Sequence, residues 1–281
     1  MLQSESTLSE WADRLIAGVR FQPSGKIYHF DASGIDDLRP GDFAVVETVR
    51  GTQLGEIVTL RPLREGEDVR GLKPIKQRAT SRELALRQRW QQEEERALQL
   101  ARDAAQALGL PIKVVLAEFT LDGKRLTLLY GSEEHHLNLS GLERRLKAQV
   151  DARVELLKIG PRDQAKLLGG CGACGGPRCC SQFLPEFTSI SIKMAKKQGV
   201  SLHPSAITGM CNRLRCCLSY EHDHYVEALK RLPSRKTRVK TPFGEGRVID
   251  LKPLKQAVVV QVEDRRVELS YEEIEPVSRR S

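Results

Sequence analysis

The sequence predicts an α+β protein, with small β-barrel-like modules at its N- and C-terminal ends around a central α/β layer domain that carries a cysteine-rich cofactor loop region. Three observations predict it. β-prone runs punctuated by Gly and Pro fill the first and last parts of the 281-residue chain. The middle alternates long helical patterns with short apolar runs in the order α-β-β-α-β. All seven cysteines lie between Cys171 and Cys217, in a stretch rich in glycine.

From the N-terminus, Gly18–Phe21 and Lys26–Phe30 read as strands around the turn Pro23-Ser24-Gly25, and Phe43–Val49 as a third. Gly51 and Gly55 are expected to bracket the next turn, and 61–80 reads as a Pro/Gly/charge-rich linker. Thr80-Ser81-Arg82-Glu83 fits a capping box that opens a helix to Leu108, stopped by Gly109 and Pro111. Its second half carries the stripe Ala97, Leu98, Ala101, Ala105 and Leu108. Its first half is polar and reads as a solvated arm. Ile112–Phe119 and Arg125–Tyr130 form a hairpin about Asp122-Gly123. Ser140-Gly141-Leu142-Glu143 fits a second capping box, and Arg153–Ile159 a strand. Ser189–Lys197 fits either a short helix or a strand, and Leu218–Leu229 fits a helix. Thr237–Lys240, Gly246–Leu251, Ala257–Val262 and Arg266–Leu269 read as the closing strands. The expected domains are 15–75 (β module), 76–160 (α/β domain with the long helix), 161–230 (cysteine segment) and 231–281 (second β module).

No segment approaches the roughly 18 apolar residues of a membrane helix, and the N-terminus carries no secretory pattern. A cytoplasmic location is expected. There disulfides are rare, and an odd, clustered cysteine count does not suit a disulfide framework. The net charge of +8 is modest, but its distribution is uneven. Between Gln164 and Tyr220 the only acid is Glu186, against Lys166, Arg178, Lys193, Lys196, Lys197, Arg213 and Arg215. Cations favour thiolate over thiol.

The cysteines read C-x2-C-x4-C-C (Cys171, Cys174, Cys179, Cys180) and C-x4-C-C (Cys211, Cys216, Cys217). The C-x4-C-C unit repeats after 37 residues. Four thiolates hold a 4Fe–4S cluster or a structural zinc, and spacing alone leaves the two open. One group of four and one of three suggests a complete site plus one that a partner completes, or two groups meeting at one centre. His203, His222 and His224 are nearby but read as surface residues. There is no P-loop, no G-x-S-x-G and no dinucleotide fingerprint, so no catalytic constellation is expected. The enzymatic rival is a thiol-redox pair at Cys171 and Cys174. Lys230, Arg231, Arg235, Lys236, Arg238 and Lys240 are six cations in eleven residues with no acid, which suits RNA or a solvated linker. A zinc-stabilised RNA-binding protein is therefore a further reading.

One block carries a family resemblance. It runs from Lys158-Ile159-Gly160-Pro161-Arg162-Asp163-Gln164-Ala165-Lys166 through Gly169-Gly170, Cys174-Gly175, Cys179-Cys180 and Ser189–Lys196. It continues with Ser201-Leu202, Pro204, Gly209-Met210-Cys211-Asn212-Arg213-Leu214, Cys216-Cys217-Leu218 and Tyr220-Glu221. Upstream, Gly18-Val19-Arg20-Phe21 and Val46–Gly51 extend it. The whole resembles the RicT (YaaT) family of bacterial regulators, which share the domain named for the yeast polymerase-suppressor protein.

The resemblance implies a non-catalytic regulatory or scaffold subunit that acts with two small helical Ric-type partner proteins. It further implies a complex that carries 4Fe–4S clusters, directs the membrane-anchored endoribonuclease Y in mRNA processing, and in spore formers affects sporulation, biofilm formation and competence. The family's ligand cysteines match Cys174, Cys179, Cys180, Cys211, Cys216 and Cys217. Cys171 completes the candidate set of seven. Lys193, Lys196, Lys197, Arg213 and Arg215 are expected to face the cluster or a partner. Arg235, Lys236, Arg238 and Lys240 are candidate RNA or partner contacts. Cys171, Arg178, Asn212 and the Arg-rich C-terminal module depart from the family pattern.

Overall fold

The computed structural model describes residues 14–22, 25–64, 67, 71–134, 136–184, 186 and 188–277. The extreme N-terminus and Pro23-Ser24 of the expected turn lie outside these residues. The chain divides into two compact units, Met1–Glu186 and Phe187–Ser281.

The first unit begins with a five-stranded antiparallel sheet of order β2-β1-β4-β3-β5. Its strands are β1 (Leu15–Arg20), β2 (Ile27–Asp31), β3 (Phe43–Thr48), β4 (Gly51–Pro62) and β5 (Ile75–Arg78). Alternation along them buries Ala17, Val19, Ala44, Val46 and Ile57 on one face. Two expectations fail here. Gly55 is no turn residue: it lies inside the 12-residue β4. A Cβ there would stand 2.3 Å from Val19 Cγ1, so the glycine lets two strands and their side chains approach. The segment read as a linker contributes β5, which extends the sheet beside β3. A parallel bridge, Asp31 with Pro74, links the ends of the outer strands, and among the described residues no ladder closes the sheet into a barrel.

The α/β layer follows. α1 (Ser81–Ala107) and α2 (Ser140–Lys147) cover a three-stranded sheet of β6 (Lys113–Phe119), β7 (Arg125–Gly131) and β8 (Arg153–Lys158). β6 and β7 are antiparallel and β7 and β8 parallel. The capping box at Thr80 and Glu83 forms, and Ala97, Ala101 and Ala105 face the core with Leu126, Leu128, Leu142 and Leu146. The polar first half of α1 is not merely solvated. Trp90 stacks on Phe119 at 5.0 Å and donates to the Leu121 carbonyl at 2.9 Å. Glu94 accepts from the Phe119 amide at 2.8 Å and from Arg87 at 2.7 Å. Burial raises the Glu94 carboxyl above its usual range, against the lowering pull of that amide and Arg87. The second expected capping box does not form. Ser140 is already helical, and the Asn138 side chain accepts its amide instead.

The second unit holds short helices and a second five-stranded antiparallel sheet. α5 (Ile192–Lys197), α6 (Pro204–Ile207), α7 (Cys216–Tyr220) and α8 (His222–Arg231) come first; α3 (Pro161–Leu168) and α4 (Cys179–Gln182) belong to the first unit. Ser189–Lys197 thus contains a helix, and the helix expected at 218–229 is two. The sheet is β9 (Arg238–Thr241), β10 (Gly244–Lys252), β11 (Ala257–Val262), β12 (Arg265–Ser270) and β13 (Glu275–Pro276), in the order β12-β11-β10-β9-β13. Val239, Val248, Val258 and Val260 fill its inner face. The architecture is mixed α+β as the sequence predicts, while both end modules are open five-stranded sheets among the described residues.

Candidate metal centre

The cysteines sit on two short hairpins, one in each unit, and the backbone of the second repeats that of the first bond for bond. In the first, Cys171 and Pro177 form an isolated antiparallel bridge. The Gly172 amide donates to the Gly176 carbonyl at 2.8 Å, Gly175 N to Gly172 O at 3.0 Å, and Arg178 N to Gly170 O at 3.0 Å. In the second, Thr208 and Leu214 form the bridge. Gly209 N donates to Arg213 O at 2.8 Å, Asn212 N to Gly209 O at 3.0 Å, and Arg215 N to Ile207 O at 2.9 Å. Each contact matches its counterpart at the 37-residue offset of the cysteines. Each hairpin then enters a short helix at its Cys-Cys pair, α4 after Arg178 and α7 after Arg215.

The sequence shows why both copies turn alike. The residue after the tip cysteine takes positive φ, +83° at Gly175 and +58° at Asn212. Glycine adopts that conformation freely, and asparagine is among the few other residues that tolerate it. Asn212 therefore preserves the turn that a β-branched residue would strain. Before the first hairpin, Gly169 and Gly170, both at positive φ, reverse the chain leaving α3.

In the sequence Arg178 and Arg215 read as charges near the thiols; in the fold they also tie the hairpins to neighbouring backbone. The Arg178 guanidinium donates to the Ala165 carbonyl at 2.6 Å, with a longer contact to Cys171 O at 3.5 Å. Arg215 donates to Ser205 O at 2.8 Å and Thr208 O at 3.2 Å. Each fork ties the base of its hairpin to the preceding segment, a geometry that suits the planar guanidinium. The identical Arg-Cys-Cys in both copies was the available signal.

Cys171 and Cys174 are exposed, Cys180 is buried, and Cys179, Cys211, Cys216 and Cys217 are half-buried. Cys171 occupies the place of Thr208, so the shared set is one tip thiol plus a Cys-Cys pair per hairpin. Burial lowers the Lys166 ammonium, with Asp163 and then Cys180 acting in the opposite direction. Glu186, the lone acid of the segment, is drawn to Lys26 at 2.7 Å. The second hairpin rests on a small core of Ala195, Ile207 and Leu218, and buried Gln198 donates to the Leu218 carbonyl at 2.6 Å. Lys193, Lys196, Lys197 and Arg213 are exposed. His203 Nδ1 is bonded to Ser205 Oγ at 2.8 Å, and His222 Nδ1 is buried without a hydrogen-bond partner.

The donor chemistry fits a thiophilic centre: soft sulfurs on fixed turns, in a stretch from Gln164 to Tyr220 that holds seven cations and one carboxylate. Among the described residues, no three His, Cys, Asp or Glu side chains stand together as a ready ligand group. Also among them, no helix is long and apolar enough to cross a membrane.

Residues 73–159 match the PSP1 C-terminal conserved region, and residues 189–232 match the third domain of PSP1-like proteins. The first match spans β5 to β8 with the α/β layer, and the second holds the whole second hairpin. These matches place two PSP1-type regions in the chain. The chain is also 36% identical over 262 residues to the stage 0 sporulation protein YaaT of Bacillus subtilis (strain 168), covering 92% of this chain and 94% of that relative. The chain belongs to the RicT/YaaT family. No solved structure matches it.

Proposed function

We propose that this protein is a non-catalytic regulatory subunit whose seven cysteines hold an iron–sulfur cofactor, and that it works in RNA processing with Ric-type partner proteins and an endoribonuclease Y. The observation that carries the reading is the duplicated hairpin. Two structurally equivalent turns each offer a tip thiol and a Cys-Cys pair, the same three donors presented twice. The 36%-identical relative is named a stage 0 sporulation protein, which supports a place in the control of a developmental programme.

Cys174, Cys179, Cys180, Cys211, Cys216 and Cys217 would supply the common ligands, with Cys171 a seventh. A 4Fe–4S cluster takes four thiolates, more than the three that either hairpin shares with its copy. Either Cys171 completes the set at the first hairpin, or a partner chain supplies the remaining sulfur. When bound, such a cluster supplies a redox- and iron-sensitive linkage among its ligands. The chain's own part is to hold the turns: Gly175 and Asn212 set the tips, and Arg178 and Arg215 anchor the bases. Loss of the cofactor would free these segments and change the surface offered to partners. Zinc is the alternative occupant, favoured by the Cys171-x-x-Cys174-Gly175 turn, whose spacing suits a zinc knuckle.

Co-purification tests the reading. The Cys211→Ala, Cys216→Ala double variant is expected to lose the cofactor and its co-purifying partners together. Partner recovery equal to wild type from a variant shown to lack the cofactor would refute it.

A further inference from the structure

The last sheet carries a row of like charges that its own fold does not neutralise. Strand register places Arg238 of β9 directly opposite Arg247 of β10. Arg247 lies opposite Gln261 of β11, and Gln261 opposite Arg266 of β12. Side chains alternate across a strand, and Val239, Val248, Val260 and Val267 take the inner face. The row therefore crosses four adjacent strands on the outer face, and all three arginines are exposed. At about 4.8 Å per strand it spans roughly 14 Å.

The rest of that face is balanced. Lys240 lies between Glu245 and Glu275 on the neighbouring strands. Asp250 takes Arg235 at 2.6 Å and Lys252 at 3.7 Å, and Glu268 takes Lys255 at 2.9 Å. Within the row, Arg247 donates only to the Lys236 carbonyl, at 3.3 Å, and no described carboxylate pairs with Arg238 or Arg266. Like charges directly opposite each other destabilise a sheet, so an uncompensated arginine pair in register suits an external polyanion. Of the residues that the basic run of the sequence singles out, Arg238 alone belongs to the row: Arg235 pairs with Asp250 and Lys240 lies opposite two glutamates, whereas Arg247 and Arg266 come from other strands.

Gln261 sits inside the row. Its Nε2 donates to the Glu263 carbonyl at 2.8 Å, which leaves Oε1 as an acceptor among the cations. A phosphate cannot donate to it, but a ribose 2′-hydroxyl can. At the β9–β10 turn, Phe243 is 65% exposed, an aromatic surface on which a base can stack.

We infer that the outer face of the C-terminal sheet binds single-stranded RNA, with Arg238, Arg247 and Arg266 on successive phosphates, Gln261 Oε1 on a 2′-hydroxyl and Phe243 under a base. This deepens the RNA side of the proposed function and needs no cofactor.

Fluorescence anisotropy of the full chain with a labelled single-stranded RNA, and with DNA of the same sequence, tests it. Three phosphate contacts set a slope of log K against log[salt] of about −2, and each arginine removed takes away about 0.7. Arg238→Gln, Arg247→Gln and Arg266→Gln are each expected to weaken binding and, in the first two, to raise the melting temperature by relieving the opposed pair. Arg235→Gln removes the same charge from a satisfied position and should leave affinity within twofold. Gln261→Leu should abolish the preference for RNA over DNA. The Cys211→Ala, Cys216→Ala variant should bind RNA like wild type, which separates failure of this inference from failure of the cofactor reading. No RNA binding at low salt, equal losses from Arg235→Gln and the row variants, or wild-type Gln261 giving no preference for RNA would each overturn the assignment.

Discussion

Removing the Arg215 guanidinium should loosen the second hairpin while leaving its cysteines in the chain. Arg215 gives two hydrogen bonds, to Ser205 O at 2.8 Å and Thr208 O at 3.2 Å. A hydrogen bond from a charged donor is worth about 1.5–3 kcal/mol when shielded. The Ser205 bond is exposed, so water replaces much of it on truncation, and Arg215→Ala is expected to cost about 2 kcal/mol in total. For a unit of this size, Phe187–Ser281, about 1 kcal/mol moves a melting midpoint by roughly 4–8 °C, so the transition that opens this unit should fall by about 10 °C. Arg215→Lys keeps the charge without the planar fork and should recover less than half of the loss. The neighbouring, exposed Arg213→Ala should stay within about 0.5 kcal/mol of wild type. Thermal unfolding of metal-free full-length protein measures the cost. Hydrogen exchange at the Gly209, Asn212 and Arg215 amides, whose partners lie inside the hairpin, localises it. If Arg215→Ala melts and exchanges like Arg213→Ala, the fork does not anchor the hairpin.

Other outcomes follow from the same structure. Gly123 has φ +70°, and a Cβ there would lie 2.2 Å from the Trp90 ring; Gly123→Ala should cost about 3 kcal/mol by chemical denaturation and shift tryptophan fluorescence. Gly175→Asn should fold nearly as wild type because Asn212 fills the equivalent place, whereas Gly175→Val should cost about 1–2 kcal/mol more. Glu94 has a folded-state carboxyl raised by burial, so the folded chain holds that proton at higher pH than the unfolded chain. Its contribution to stability is present below the unfolded carboxylate range and is lost as pH rises through it toward the folded value. Urea midpoints of wild type should therefore decline relative to Glu94→Gln as pH rises from 4 to 7, and a constant difference would contradict the assignment.

The sequence made most of this fold legible because the strong local signals agree with the tertiary structure. Thr80 and Glu83 read as a cap and form one, and the Ala97, Ala101, Ala105 stripe reads as a buried face and is one. Gly55 was misread because a glycine in a turn and a glycine beneath a crossing side chain look alike in one dimension; only Val19 across the pairing separates them. β5 hid in a charged segment because its place depends on β3, 29 residues or more away in the chain. At the candidate centre the repeat of the cysteines was visible, whereas the matching backbone bonds and the arginine forks join residues whose partners are carbonyls, which no residue letter records. The row of Arg238, Arg247 and Arg266 needed strand register, since the three lie up to 28 positions apart and only the β-meander aligns them.

The proposed function rests on the duplicated hairpins holding an iron–sulfur cofactor. Iron and acid-labile sulfide content per chain, measured after strictly anaerobic purification from the native host, tests it most directly. Iron and sulfide are expected in near-equal amounts, both lost from the Cys211→Ala, Cys216→Ala variant. Stoichiometric zinc with neither iron nor sulfide in wild type would contradict it.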